Sequence, residues 1–278
     1  MKTSIVTTRQ LELFRQTVLR FFEHEGRDLP WRQTTDPYAI YLSEVMLQQT
    51  QVDRVAQKFP VFLATFPTPQ ALAEAPLATV LEAWQGFGYN RRGLHLKRAA
   101  EQMVERHGAA LPKTVEELDD LPGIGYATAS AIAAYAFNLP TVFIETNIRA
   151  VFIHHFFSDA EKVSDAQLLP LVEAALDRTN PRRWYSALMD YGTHLKKLHG
   201  NPARRSRHHV KQSRFEGSER EIRSMILKLL LAHKKLGRKE LHSLIDRESA
   251  RIERNLAGLI AEGFVIKNGE ELYVPGSS

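Results

Sequence analysis

The chain has 278 residues, 44% hydrophobic and 25% charged, with a formal net charge of +5; this is enough for a full core and, at roughly 100 to 200 residues per domain, for two or three units. Cysteine is absent, which excludes disulfides, thiol nucleophiles, thiolate metal sites and cysteine-bound iron–sulfur clusters, so any chemistry falls to oxygen and nitrogen groups. No stretch approaches the ~20 apolar residues that cross a bilayer, and the start, MKTSIVTTRQLELF, lacks an apolar signal core, so no membrane partner and a cytoplasmic location are expected, at the nucleoid in a bacterium.

In chain order, apolar residues at helical spacing (Leu11, Phe14, Val18, Leu19, Phe22) predict a helix over 8–25 that stops at Gly26. Leu29-Pro30-Trp31-Arg32 and Asp36-Pro37-Tyr38 read as an extended connector. Amphipathic segments follow at about 39–64, 70–84, 91–107, 114–120, 126–136, 145–156, 165–177 and 181–196, broken by Pro, Gly or Asp. The one long β-like run is Thr141 to Ile144. Within the first of these segments, LSEVMLQQTQV at 42–52 places Glu44 among apolar residues and follows it with Gln48, Gln49, Thr50 and Gln51. If the run is helical, Glu44, Leu47 and Gln48 share a face. A carboxylate in an apolar wall has its pKa raised by desolvation, which suits a general acid; an amphipathic helix with a polar end would read the same way.

Leu121-Pro122-Gly123-Ile124-Gly125 lies between a short acidic helix and the helix predicted from Tyr126. Two glycines there permit a tight turn that offers N–H groups to a phosphate at a helix N-terminus, although a plain tight turn explains the pattern as well. From His194 to Arg214 there is no Asp or Glu, while Lys196, Lys197, Arg204, Arg205, Arg207, Lys211 and Arg214 accumulate. Such a run is a solvated linker or a phosphate-facing surface, and the neighbouring motifs favour the second. Helices are then predicted over 219–233, 238–245 and 249–262, with a hairpin about Asn268-Gly269. Three helices and a terminal hairpin make a winged helix over 217–278. Its third helix carries Arg251 and Arg254 just after Arg247, diluted by Glu248 and Glu253, so contact with DNA and contact with protein both stay open. The pairs His154-His155 and His208-His209 lack partners at ligand spacing, and no metal is assigned to them. Asp190 is read as a structural residue at a helix end.

Taken together, these motifs resemble the helix–hairpin–helix (HhH-GPD) DNA glycosylases, and among them the MutY-type adenine glycosylases. The resemblance covers about residues 28–195: LPWR at 29–32, LSEVMLQQTQV at 42–52, Trp84-Gln85-Gly86-Phe87-Gly88-Tyr89, LPGIG at 121–125 with Thr128-Ala129, and Met189-Asp190-Tyr191-Gly192. It implies a mainly α protein with a two-lobed helical body over 1–214, in which a lobe of about 30–138 is inserted between the N-terminal helix and 139–214. It further implies that a nucleotide is flipped out of a mismatched or damaged DNA duplex into the cleft between the lobes, because an enzyme acting on a base cannot reach it inside the stack. The implied activity is monofunctional N-glycosidic hydrolysis in base excision repair, of adenine opposite G or 8-oxoguanine. The alternatives are a thymine or uracil mismatch glycosylase of the same superfamily and a silent lesion-binding or regulatory protein. A monomer is expected.

By the same resemblance Glu44 protonates the departing base and Glu145 stabilises the sugar cation. Gln48 and Tyr89 fill or wedge the duplex, Gly123 and Gly125 offer N–H groups to a phosphate, and Gln49, Thr128 and Asn147, the last beside Glu145, bind DNA. The chain departs from the family in several places. Glu145 stands where the family carries Asp, one methylene shorter. Ala127 stands where bifunctional members carry a lysine nucleophile, so no Schiff-base lyase is expected. No cofactor is expected, since the cysteines of the iron–sulfur loop would fall within about 196–212; Arg204, Arg205 and Arg207 there are expected to present positive charge to DNA instead. Residues 217–278 are too short for the family's NUDIX-like C-terminal domain.

Overall fold

The computed structural model describes residues 6–158, 160–208 and 214–277. Lys211 and His209, both named above, lie outside the described residues.

In chain order the helices are α1 Thr8–Glu25, α2 Pro37–Leu47, α3 Val52–Thr65, α4 Pro69–Glu74, α5 Leu77–Trp84, α6 Arg91–His107, α7 Val115–Asp119, α8 Tyr126–Phe137, α9 Thr146–Phe156, α10 Asp165–Ala175, α11 Pro181–His199 and α12 Glu219–His233. Strand β1 Lys235–Gly237, helices α13 Arg238–Leu244 and α14 Ser249–Ala261, and strands β2 Ile266–Asn268 and β3 Glu271–Tyr273 complete the chain. The caps are those the sequence supplies: Thr7 and Gln10 form a capping box at α1, and Thr114 and Glu117 form another at α7.

Several sequence expectations are corrected. Pro30–Arg32 is a 3₁₀ turn, and Pro37 opens α2 at the first-turn position where a missing N–H costs nothing, so the connector is not extended throughout. The 39–64 segment is two helices: α2 ends at Leu47, and Gln49 takes a left-handed φ of 54°. Gln48 therefore leaves the helix, and the face shared with Glu44 and Leu47 is lost. The 70–84 segment likewise breaks, at Pro76. Among the described residues Thr141–Ile144 pairs with no strand; Thr141 Oγ1 donates to Ser130 O (2.7 Å) and Tyr185 Oη donates to Thr141 O (2.7 Å), so side-chain contacts stand in for a ladder there. Asp190 lies inside α11, not at its end.

The chain divides into two compact units. The first comprises 1–44, 113–120 and 124–211. Its core packs α1, α9, α10 and α11 around Phe14, Phe152, Trp184 and Leu188, with Phe14 meeting Phe152 and Trp184 edge-on at 5.1 and 5.9 Å. Gly192 is required where α11 crosses the start of α9, because a Cβ there would stand 2.8 Å from the Asn147 carbonyl oxygen. Fully burying each large side chain of such a core stabilises by about 1.5–3 kcal/mol.

The second unit comprises 45–112, 121–123 and 212–278. Strand order is β1-β3-β2, all antiparallel, with Leu236 opposite Leu272 and Lys267 on the other side of it; β1 is the strand that sequence patterning did not supply. This is a winged helix. It shares one hydrophobic core with α5 and α6: Leu77, Leu81 and Leu94 pack with Ile222, Ile226, Leu230 and Phe264. Ala78 N also donates to Pro275 O (3.1 Å), and Arg98 reaches the Glu262 carbonyl (3.0 Å).

Candidate active site and nucleic-acid contacts

In the first unit, Glu44 is half-buried on α2, flanked along the helix by buried Leu42, Ser43, Val45 and Met46. That apolar setting, and next the charge of Glu145, push its carboxyl up to about 8, while Arg32 pulls the other way. Arg32 is itself committed. It makes a two-pronged ion pair with Asp190 (2.8 and 2.9 Å), to which Arg27 adds its Nε (2.8 Å) and backbone N–H (2.8 Å). Burial alone would raise Asp190, but the hydrogen bonds and charges of Arg32 and Arg27 leave its carboxyl below the ordinary value. Asp190 thus anchors the arginine whose charge acts on Glu44.

Glu145 is the N-cap of α9. Its Oε1 accepts from the Asn147 backbone N–H (3.4 Å) and from Asn147 Nδ2 (3.1 Å), and Lys196 Nζ donates to Asn147 Oδ1 (2.8 Å). Glu145 is exposed to solvent. The surrounding protein raises its pKa, and the Asn147 hydrogen bonds, Lys196 and Arg149 oppose that rise. Lys196, part of the basic run in sequence, is turned inward onto this chain of contacts; burial lowers its pKa and Glu145 raises it.

Tyr135 on α8 is the residue that sequence reasoning missed. Its phenol is held well above the ordinary range, first by burial and then by the charges of Glu44 and Glu145. The available signal was a single large polar aromatic in the middle of the small-residue run ATASAIAAYAF.

At the hairpin, Gly125 is the N-cap of α8 and is exposed with Tyr126 and Ala127, while Thr128 is half-buried on the first turn. Gly123, in the second unit, has φ 81°, and a Cβ there would meet the His95 ring at 2.7 Å, so the turn needs glycine on both counts. Arg204 and Arg207 are exposed; Arg205 instead donates to the Phe157 (2.7 Å) and Ser158 carbonyls. The segment is further pinned by a parallel bridge between Val163 and Ser206.

In the second unit, Gln48, Gln49 and Thr50 form the turn after α2, and Arg92 holds it. The guanidinium donates to the carbonyls of Val45 (2.9 Å), Met46 (3.1 Å) and Phe87 (2.9 Å) and to Thr50 Oγ1 (3.0 Å). Burial pushes its pKa down to about 10. Tyr89, at φ 47°, lies between Arg92 and Arg220, whose guanidinium carbons stand 5.7 and 5.1 Å from its ring centre.

Residues 42–172 match the HhH-GPD superfamily base excision DNA repair protein family. The chain is 33% identical over 192 residues to an adenine DNA glycosylase of Buchnera aphidicola subsp. Baizongia pistaciae, covering 68% of this chain and 54% of that protein. It is 36% identical over 195 residues to the adenine DNA glycosylase of Homo sapiens (66% of this chain, 36% of that protein). The chain therefore spans about half, or less, of the length of these two relatives. With the adenine DNA glycosylase of Mycolicibacterium smegmatis it shares 31% identity over 269 residues, 89% of this chain and 91% of that protein. Among solved structures, a thermostable thymine-DNA glycosylase aligns with a TM-score of 0.60 at 24% identity (67% of this chain, 88% of that one). Endonuclease III trapped as a covalent intermediate with DNA aligns at 0.54 and 18% (70% and 88%). At those identities the structural likeness speaks for the fold. The near end-to-end match to the M. smegmatis protein speaks for descent, and the chain belongs to the HhH-GPD superfamily of base excision DNA repair proteins.

Proposed function

We propose that this protein is a monofunctional DNA glycosylase that releases adenine mispaired with G or 8-oxoguanine from duplex DNA in the cytoplasm, acting as a monomer and without a cofactor. The observation that carries the reading is Glu44, whose carboxyl, raised to about 8, holds its proton at neutral pH. Glu145 is supplied with hydrogen bonds to its ionised form by Asn147, which Lys196 holds. Burial raises both carboxyls, while the Asn147 hydrogen bonds and Lys196 oppose that rise at Glu145, and on that difference the acid is assigned to Glu44 and the anion to Glu145. Glu44 donates its proton to the adenine ring as the N-glycosidic bond breaks and the base leaves with the bonding electrons. Glu145, ionised, stabilises the sugar cation. Water then adds to C1′ and gives its proton to Glu44, which restores the acid.

Ala127 offers no amine at the hairpin, so the product is an intact abasic strand. Gly123, Gly125 and Thr128 are assigned to the DNA phosphate, and Gln48, Gln49 and Tyr89 to the opened duplex. The exposed Arg204 and Arg207 add charge toward the backbone. The relatives named adenine DNA glycosylase support adenine as the target. The test is single-turnover cleavage of duplexes carrying A opposite G, C or 8-oxoguanine, and T or U opposite G. Alkali-labile sites at A are expected; release of T or U in place of A, or strand breaks without alkali, overturns the assignment.

A further inference from the structure

Within the second unit, a cleft of about 860 Å³ opens between α12 and the turns after α2 and α5. Its walls carry the cations Arg54, Arg91, Arg220, Arg223 and Lys228, and no Asp or Glu is among the lining residues. Glu262, outside that lining, pairs with Arg91 and Arg223 (2.8 Å each). From α12, Arg220, Ser224 and Lys228 follow at four-residue steps, which sets them in one stripe along the helix. The amide side chains of Gln49 and Gln85 also belong to the lining. Phe215, 54% exposed, supplies a ring face, and Tyr89, with Arg92 and Arg220 over its ring, lines the wall.

The third helix, α14, through which winged helices commonly meet DNA, is occupied differently. Arg247 pairs with Glu221 (3.0 Å) and Arg251 with Glu219 (2.7 Å), both on α12. Those contacts fasten the module together through the residues that would otherwise reach a groove.

We propose that the C-terminal module binds DNA through α12, not α14, and that the cleft takes one unstacked nucleotide together with its flanking phosphates. The volume fits a nucleotide and is far too small for a duplex. Positive walls match phosphate, the exposed Phe215 ring matches a base, and amides match base edges; cationic grooves with stacking platforms hold unpaired nucleotides in this way. The inference rests on the reading of the protein as a DNA glycosylase only in taking DNA as the partner.

The test measures affinity by fluorescence anisotropy for a labelled duplex with one A·G mismatch, across a salt series. Phe215→Ala with Lys228→Glu is expected to weaken binding about tenfold and to flatten the salt slope by about one. Arg254→Glu, on the exposed side of α14, is expected to change affinity less than about twofold. Both replaced α12-side residues are exposed, and unchanged melting confirms that the fold is intact. Binding unaltered by the double variant, or weakened more by Arg254→Glu, overturns the inference. Base release by the wild-type protein is read separately: its absence together with cleft-dependent binding refutes the glycosylase reading and leaves the cleft standing.

Discussion

Replacing Glu44 by Gln separates its two roles. The carboxyl moves from an ordinary value of 4.5 to about 8 on folding, so between those pH values the folded chain holds a proton that the unfolded chain has lost. Stability therefore falls as pH rises through that window and levels off above about 8. At 1.36 kcal/mol per pKa unit the full difference is about 5 kcal/mol. Because solvent reaches one edge of this half-buried side chain, roughly 2–3 kcal/mol is expected in practice. Glu44→Gln carries no titrating group, so it is expected to match the wild type near pH 4.5 and to exceed it increasingly up to pH 8. Urea unfolding of both proteins at half-unit pH steps gives the difference directly, while base release by the variant is lost. A stability difference that is flat with pH, or a wild type that gains on the variant toward pH 8, would refute the placement of Glu44 in a desolvating wall.

Other expectations follow from the same contacts. Asp190→Asn removes the negative partner of two arginines and is expected to cost about 3–5 kcal/mol in urea unfolding; a loss below 1 kcal/mol would show that the cluster is dispensable. Gly192→Ala drives a methyl group into the Asn147 carbonyl and is expected to cost about 1–3 kcal/mol and to slow base release by displacing Glu145, as single-turnover rates will show. Lys196 lowers the pKa of Glu145, so Lys196→Met is expected to move the acid limb of the pH–rate profile to higher pH, and an unmoved limb would detach Lys196 from the site.

Much of this was legible in the residues. The limits of α6 come directly from its apolar spacing, with Gly108 ending it at φ 59°, and Asn268-Gly269 fixes the terminal hairpin. What local pattern could not supply is whatever depends on a partner far along the chain. The break after Leu47 is held by Arg92, some 45 residues on. β1 exists because β3 pairs with it, and Thr141–Ile144 has no such partner among the described residues. In the candidate site, Glu44, Glu145 and Asn147 were visible as motif positions, whereas Tyr135 was hidden in an alanine-rich helix. Lys196 and Arg205 were read with a uniform basic run, and only packing distinguishes their inward contacts from the exposure of Arg204 and Arg207.

The most direct test is to incubate an A·8-oxoguanine duplex with excess protein in ¹⁸O-water and analyse the products by mass spectrometry. Free adenine is expected, with the heavy oxygen on the C1′ of an unbroken abasic strand and none of either product with Glu44→Gln. No free adenine from the wild-type protein, or an adduct between protein and DNA trapped by borohydride, would contradict the account.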